Sequence, residues 1–289
     1  MNRRDLAELL LLGAIWGASF LFLRIAVPAF GAVPLVEMRV AIAAAVLLVI
    51  LRARGRTGAL KGRWKSLTVV AALNTAIPFS LFAFATLSVS AGFAAVLNST
   101  VPLWGAAVGL GWFGERLSRE RAIGLAVGFA GVVLLVSRDL SLAGRPLAIA
   151  AGLGAAILYG IAAHVSRRQL KGVDTLAVAA GTTLASSLIL LVPAIASWPA
   201  GPIGPTAWWC AIALGVACTA LAYVLFFRLI ERVGATRAMS VAYLIPLFGI
   251  LWGRLFLDEP ITWNMALGCG AILGGVALAS RQPATKAAT

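Results

Sequence analysis

The chain has 289 residues, of which 61% are hydrophobic and only 12% charged, with a mean hydropathy of +0.98 and a formal net charge of +14. Soluble chains carry about twice that share of charged residues, so a water-soluble enzyme, a disordered regulator and a nucleic-acid binder with a solvated basic face are all excluded. What remains is an all-α polytopic membrane protein whose solvent is mostly lipid.

A helix needs about 20 largely apolar residues to cross a bilayer. Charge-free stretches of that kind give ten spans in chain order: 6–24, 33–51, 66–86, 91–113, 121–137, 147–166, 175–194, 207–228, 236–256 and 262–280. Two stretches are too long for one crossing. The run 66–114 folds back at Ser88-Val89-Ser90-Ala91-Gly92, and the run 175–227 at Trp198-Pro199-Ala200-Gly201-Pro202, where Gly and Pro punctuate the chain. The first twenty residues also fit a signal peptide, but removing them would leave nine spans and break the repeat described below.

Placing the N-terminus inside puts 19 of the 24 basic residues in inner segments, including Arg52, Arg54, Arg56, Lys61, Arg63 and Lys65. The outer loops keep Arg138 and Arg145, while Arg24, Arg39 and Arg254 fall within spans or at their outer ends. The positive charge is therefore a topology signal with both termini cytoplasmic, and nucleic acid is not an expected partner. Cys210, Cys218 and Cys269 lie in apolar runs without metal-ligand spacing, so they read as reduced packing residues, with no metal and no cofactor expected.

At an offset of 144, residues 78–137 align with 222–281 without a gap, and fifteen of the sixty pairs are identical. The matches include Pro102 with Pro246, Gly105 with Gly249, Gly109 with Gly253, Glu115 with Glu259, Gly124 with Gly268 and Gly131 with Gly275. At offset 143, Trp16-Gly17 falls on Tyr159-Gly160. Five spans per half is an odd number, so the second half enters the membrane upside down. The expected architecture is two inverted five-helix repeats, 1–144 and 145–289, and such repeats in secondary transporters enclose a midplane site.

These residues carry a likeness to a known family. Pro102, Gly114-Glu115, Arg121, Gly124 and Gly131-Val132-Val133-Leu134, echoed by Pro246, Asp258-Glu259-Pro260, Gly268 and Gly275-Val276-Ala277-Leu278, resemble the EamA-type proteins of the drug/metabolite transporter superfamily. The resemblance implies a ten-helix carrier of the bacterial inner membrane that exports amino acids or other small metabolites, with some members handling drug-like solutes. It leaves the substrate and the oligomeric state open. The chain departs from its own first half at residue 258, where Asp stands for Gly.

Several residues are candidates for substrate contact. Trp16 and Tyr159 are symmetry-related and near mid-depth, reading either as aromatic walls of a central cavity or as ordinary packing. Asn98 heads a stripe with Pro102, Gly105 and Gly109, and Asn74 forms an i, i+4 pair with Pro78. A side-chain amide in hydrocarbon needs a partner, so both asparagines should face protein or a wet interior. Pro78, Pro102 and Pro246 interrupt helices near mid-span. Tyr223 and Tyr243 add hydroxyls, with Ser99 and Thr100 ranked lower, and His164 reads as structural.

The expected activity is alternating access of a small organic solute. Its rivals are a drug or cation exporter, which would want a carboxylate inside the bundle, and an intramembrane enzyme, which would need a nucleophile, metal ligands or a carboxylate dyad. No acidic residue falls at the midplane. Glu37 comes closest, and Arg39 and Arg24 at similar depth point to an ion pair near the outer surface, so a facilitator without obligatory proton coupling is expected.

Overall fold

The computed structural model describes residues 2–114, 118–137 and 145–279, and among these every regular element is a helix. Glu115 of the motif and Arg138 of the outer loop lie outside the described residues, as do Arg116, Asp139, Arg281 and Lys286. Helix α1 (Arg3–Phe30) begins under the Asn2 side chain, which accepts a 2.8 Å hydrogen bond from the Asp5 amide, and ends at Gly31. It runs six residues past the predicted end of the first span. Arg24 does not stop it, because the guanidinium finds protein acceptors, the Thr86 carbonyl at 2.5 Å and the Leu87 carbonyl at 2.9 Å.

Helix α2 (Ala32–Ala53) returns, and the third crossing, Trp64–Ala85, is composite: α3 (Trp64–Ala71), a π turn over Ala72–Ala76, then α4 (Ile77–Ala85). The fourth is α5 (Ala91–Asn98) and α6 (Val101–Phe113), separated at Ser99-Thr100 just ahead of Pro102. Helices α7 (Arg119–Val136), α8 (Arg145–Gln169) and α9 (Thr175–Ala196) follow. The eighth predicted span is again composite, α10 (Pro205–Gly215), a π turn over Val216–Leu221 and α11 (Ala222–Val233). A short α12 (Ala235–Ala238), then α13 (Val241–Leu257) and α14 (Trp263–Ala279), complete the described chain.

Seven of these helical stretches, taking each composite as one, are long and apolar enough to cross a membrane, and α13 and α14 are shorter apolar helices. Helix α7 has 18 residues, with Arg119, Glu120 and Arg121 crowded into its first turn. Every predicted span overlies one of these helical stretches; the fold-back predicted at 198–202 falls between helices, and the one at 88–92 runs from the turn after α4 into the first residues of α5. Large apolar side chains such as Val49, Val192 and Trp263 point outward unburied, which a bilayer would cover.

Packing follows the glycines. Helices α7 and α14 are in the most extensive contact, since a methyl group on Gly131 would sit 2.8 Å from the Ile272 backbone nitrogen and one on Gly124 2.5 Å from that of Ala279. Gly160 of α8 meets Gly105 of α6 at 2.8 Å, and Gly17 of α1 meets Gly249 of α13 at 2.9 Å, in the same sense. Small residues let helix backbones approach where no hydrophobic force drives them together. Other neighbours also come in matched sets: α1 lies on α11 as α8 lies on α4, and α2 lies on α10 as α9 lies on α3.

Candidate functional site

The densest polar feature within the bundle surrounds Arg39. This residue lies seven positions into α2, about 10 Å below the start of the helix. It is 6% exposed. Its Nε donates to Thr219 Oγ1 at 2.9 Å, and its guanidinium carbon stands 3.9 Å above the centre of the Phe79 ring. Tyr159, Tyr223 and Cys218 are within electrostatic reach of the charge.

The two π turns deliver part of this arrangement. A π turn takes one more residue than an α turn and leaves a carbonyl free for a side chain. Thr219 uses that freedom, donating to the Leu214 carbonyl at 2.8 Å while it accepts from Arg39. Thr75 occupies the corresponding position of the other π turn, buried beside the Tyr223 hydroxyl. Cys218, next to Thr219, donates to the Ile15 carbonyl at 3.2 Å and ties α1 to the cluster.

The expected ion pair between Glu37 and Arg39 is not what the structure holds. Residues two apart on a helix point to different sides, and Glu37 turns to α9, where its Oε1 accepts from Ser187 Oγ at 2.6 Å. Its Oε2 is buried without a hydrogen bond. Arg24 is likewise committed elsewhere, to the two carbonyls at the end of α4 and to Glu259 at 3.9 Å. The sequence does expose Arg39, as a charge inside an apolar span, but proximity along the chain suggests the wrong partner.

Of the predicted site residues, Tyr159 and Tyr223 converge on Arg39. Tyr159 also stacks on Phe82 at 6.2 Å and meets Phe79 edge-on at 6.5 Å. Trp16 sits further along α1 against Phe226, with ring centres 5.2 Å apart, and Tyr243 packs on the hydrophobic cluster that includes Leu97 and Phe93. Asn74 falls inside the first π turn and Asn98 ends α5; both are half-buried, and neither amide has a hydrogen-bond partner among the described residues. Pro78 is buried just beyond that π turn. Ser99 and Thr100 bond back to the carbonyls of Val96 and Leu97, as hydroxyls in helices commonly do. His164 ties α8 to α6, its Nε2 2.9 Å from the Gly105 carbonyl. The three thiols are free and buried.

Both ends of the bundle are fastened by charge. Where α1 begins, Arg228 and Arg232 of α11 clasp Glu8 and Asp5, and Arg56 meets Asp174 at 2.6 Å. At the opposite end Glu259 accepts a 2.9 Å hydrogen bond from the Ala91 amide, capping α5 with an anion where the helix dipole favours one. The family motif thus has a structural use in its second copy. A cleft of about 320 Å³ opens at the end where α1 begins, lined by Arg167, Lys171 and Phe227 among others, and Phe227 stacks on Tyr223 at 5.9 Å.

The chain is 25% identical over 278 residues to the uncharacterized transporter YvbV of Bacillus subtilis, covering 95% of this chain and 91% of that one. It is 24% identical to the uncharacterized inner membrane transporter YedA of Escherichia coli K12, covering 91% and 86%. A crystal structure with 21% identity superposes with a TM-score of 0.68 over 97% of this chain and 98% of the other, which shows a shared fold. The pattern of the EamA-like transporter family matches residues 6–137 and again 146–281, nearly the whole length, so the chain is a multi-pass membrane protein belonging to the EamA-like transporter family.

Proposed function

We propose that the protein exports small organic solutes, amino acids or related metabolites fitting best, across a bacterial inner membrane by alternating access. On this reading the chain makes ten crossings as two inverted halves, 1–144 and 145–289, with both termini cytoplasmic and the solute held between the halves. The observation that carries it is the Arg39, Tyr159 and Tyr223 cluster, which joins α2, α8 and α11 inside a bundle whose helix pairings recur in matched sets. Aromatic rings suit an apolar side chain, while the amides of Asn74 and Asn98 retain unused donors and acceptors for a polar head. A cation exporter is the weaker reading, since the buried charge in this cluster is positive.

The test is counterflow in proteoliposomes with no pH gradient, screening labelled amino acids, nucleosides and cationic drugs. Amino-acid exchange is expected, and it should fall at least about tenfold in Tyr159→Ala and measurably in Trp16→Ala and Asn98→Ala, each still monodisperse. Product formation without flux would favour an enzyme. Exchange that returns only under an imposed proton gradient would end the facilitator reading.

A further inference from the structure

We propose that Arg39 anchors a carboxylate of the transported solute, so that the substrates are amphiphilic organic acids, zwitterionic amino acids included. The inference rests on the carrier reading above and adds the chemistry of recognition to it. A charge inside a membrane-spanning helix is costly and persists where it has a partner or a task. Here the described partners are all neutral: a threonine hydroxyl, a phenylalanine ring, two tyrosines and a thiol. No carboxylate lies within ion-pair distance of Arg39 among the described residues, and the one on its own helix, Glu37, is turned to Ser187.

A guanidinium carries five N–H donors. Nε is used on Thr219, and the four N–H groups of the terminal nitrogens have no protein acceptor among the described residues. Phe79 covers one face of the guanidinium, so the remaining donors lie in a plane held by its ring and by Thr219, which suits bidentate binding of a planar anion. One positive charge balances one carboxylate. A phosphate dianion would leave a negative charge unmatched in a medium of low dielectric. The rings of Phe79, Phe82 and Tyr159, gathered at the same place, would take an apolar or aromatic side chain.

The experiment uses the full-length protein and two matched pairs of probes, 3-phenylpropionate with 3-phenylpropionamide and L-phenylalanine with L-phenylalaninamide. Thermal stabilisation in detergent reads binding, and labelled L-phenylalanine in proteoliposomes reads flux. Wild type should be half-stabilised at a carboxylate concentration about tenfold or more below that of the amide, as a charge-assisted hydrogen bond implies. In Arg39→Gln the two should come within about twofold, and in Arg39→Lys, which keeps the charge without the fork, the preference should drop at least about threefold. A wild type without carboxylate preference, or a folded Arg39→Gln that keeps it, overturns the proposal; continued phenylalanine flux would then leave the carrier reading standing. Should Arg39→Gln fail to fold, an unchanged preference in Arg39→Lys overturns it as well. Carboxylate binding through Arg39 without any flux would instead sink the carrier reading and keep the anion site, whereas the absence of both would remove the two together.

Discussion

Asp258 ends α13 in the left-handed backbone region, with φ 51°, where its first-half counterpart Gly114 has φ 65°. A side chain in that conformation costs roughly 1 kcal/mol relative to glycine, though aspartate tolerates it better than most. Its one described ion pair, to Arg254 at 3.9 Å, is solvent-exposed and worth little. Asp258→Gly is therefore expected to raise the melting temperature slightly, by up to a few degrees, with transport unchanged; a drop would mean that the carboxylate holds something beyond its own turn. The departure at 258 is visible in the sequence, and the conformation behind it becomes readable once the repeat supplies Gly114 as the reference. Arg39 is the opposite case. Its presence in an apolar span is plain, but its partner Thr219 lies 180 positions away, and no local spacing rule could have found it.

At the scale of helices, the glycine seams were legible and the π turns were not. Small residues recurring at equivalent places in both halves mark close approach, and the structure puts them face to face in α7 with α14 and in α1 with α13. Gly131→Val should consequently destabilise the fold by about 1–3 kcal/mol, because its side chain would have to enter the backbone of α14. Gly274→Ala, on the side of α14 where a methyl group meets nothing within 4 Å, should be neutral. Comparing the thermal unfolding of the two variants checks this, and equal effects would show that the seam is not tight. The π turns escape a sequence reading because an extra residue in a helix leaves no mark in composition, and because the apolar run continues through it. Proline gave a partial signal at best: Pro78 follows one π turn and Pro102 follows the break before α6, yet α13 continues through Pro246.

For the whole molecule, the count of basic residues predicts that the loop from Arg52 to Lys65 faces the cytoplasm. The exposed Gly58 in that loop offers a test. On a cysteine-free background, Gly58→Cys should resist a membrane-impermeant thiol reagent in intact cells and react after permeabilisation. Labelling of intact cells would invert the topology and, with it, the side to which the cleft near Arg167 opens. Seven helical stretches long and apolar enough to cross a membrane, with α13 and α14 as shorter apolar helices, were legible because lipid punishes charge so uniformly; the site was legible only in part, since it gathers residues of α2, α8 and α11 whose order along the chain says nothing of their meeting. The π turns begin at Ala72 and Val216, which are 144 positions apart, the same offset that aligns the two halves. A helix with one surplus residue turns everything beyond it by about 100°. Shared position therefore gives the two segments the same added rotation, which sets Thr75 and Thr219 at equivalent places in their π turns. Removing one residue from 216–220 should turn Thr219 or Tyr223 away from Arg39, and the loss of transport in such a deletion, with the protein still folded, would show that the surplus residue aims the site.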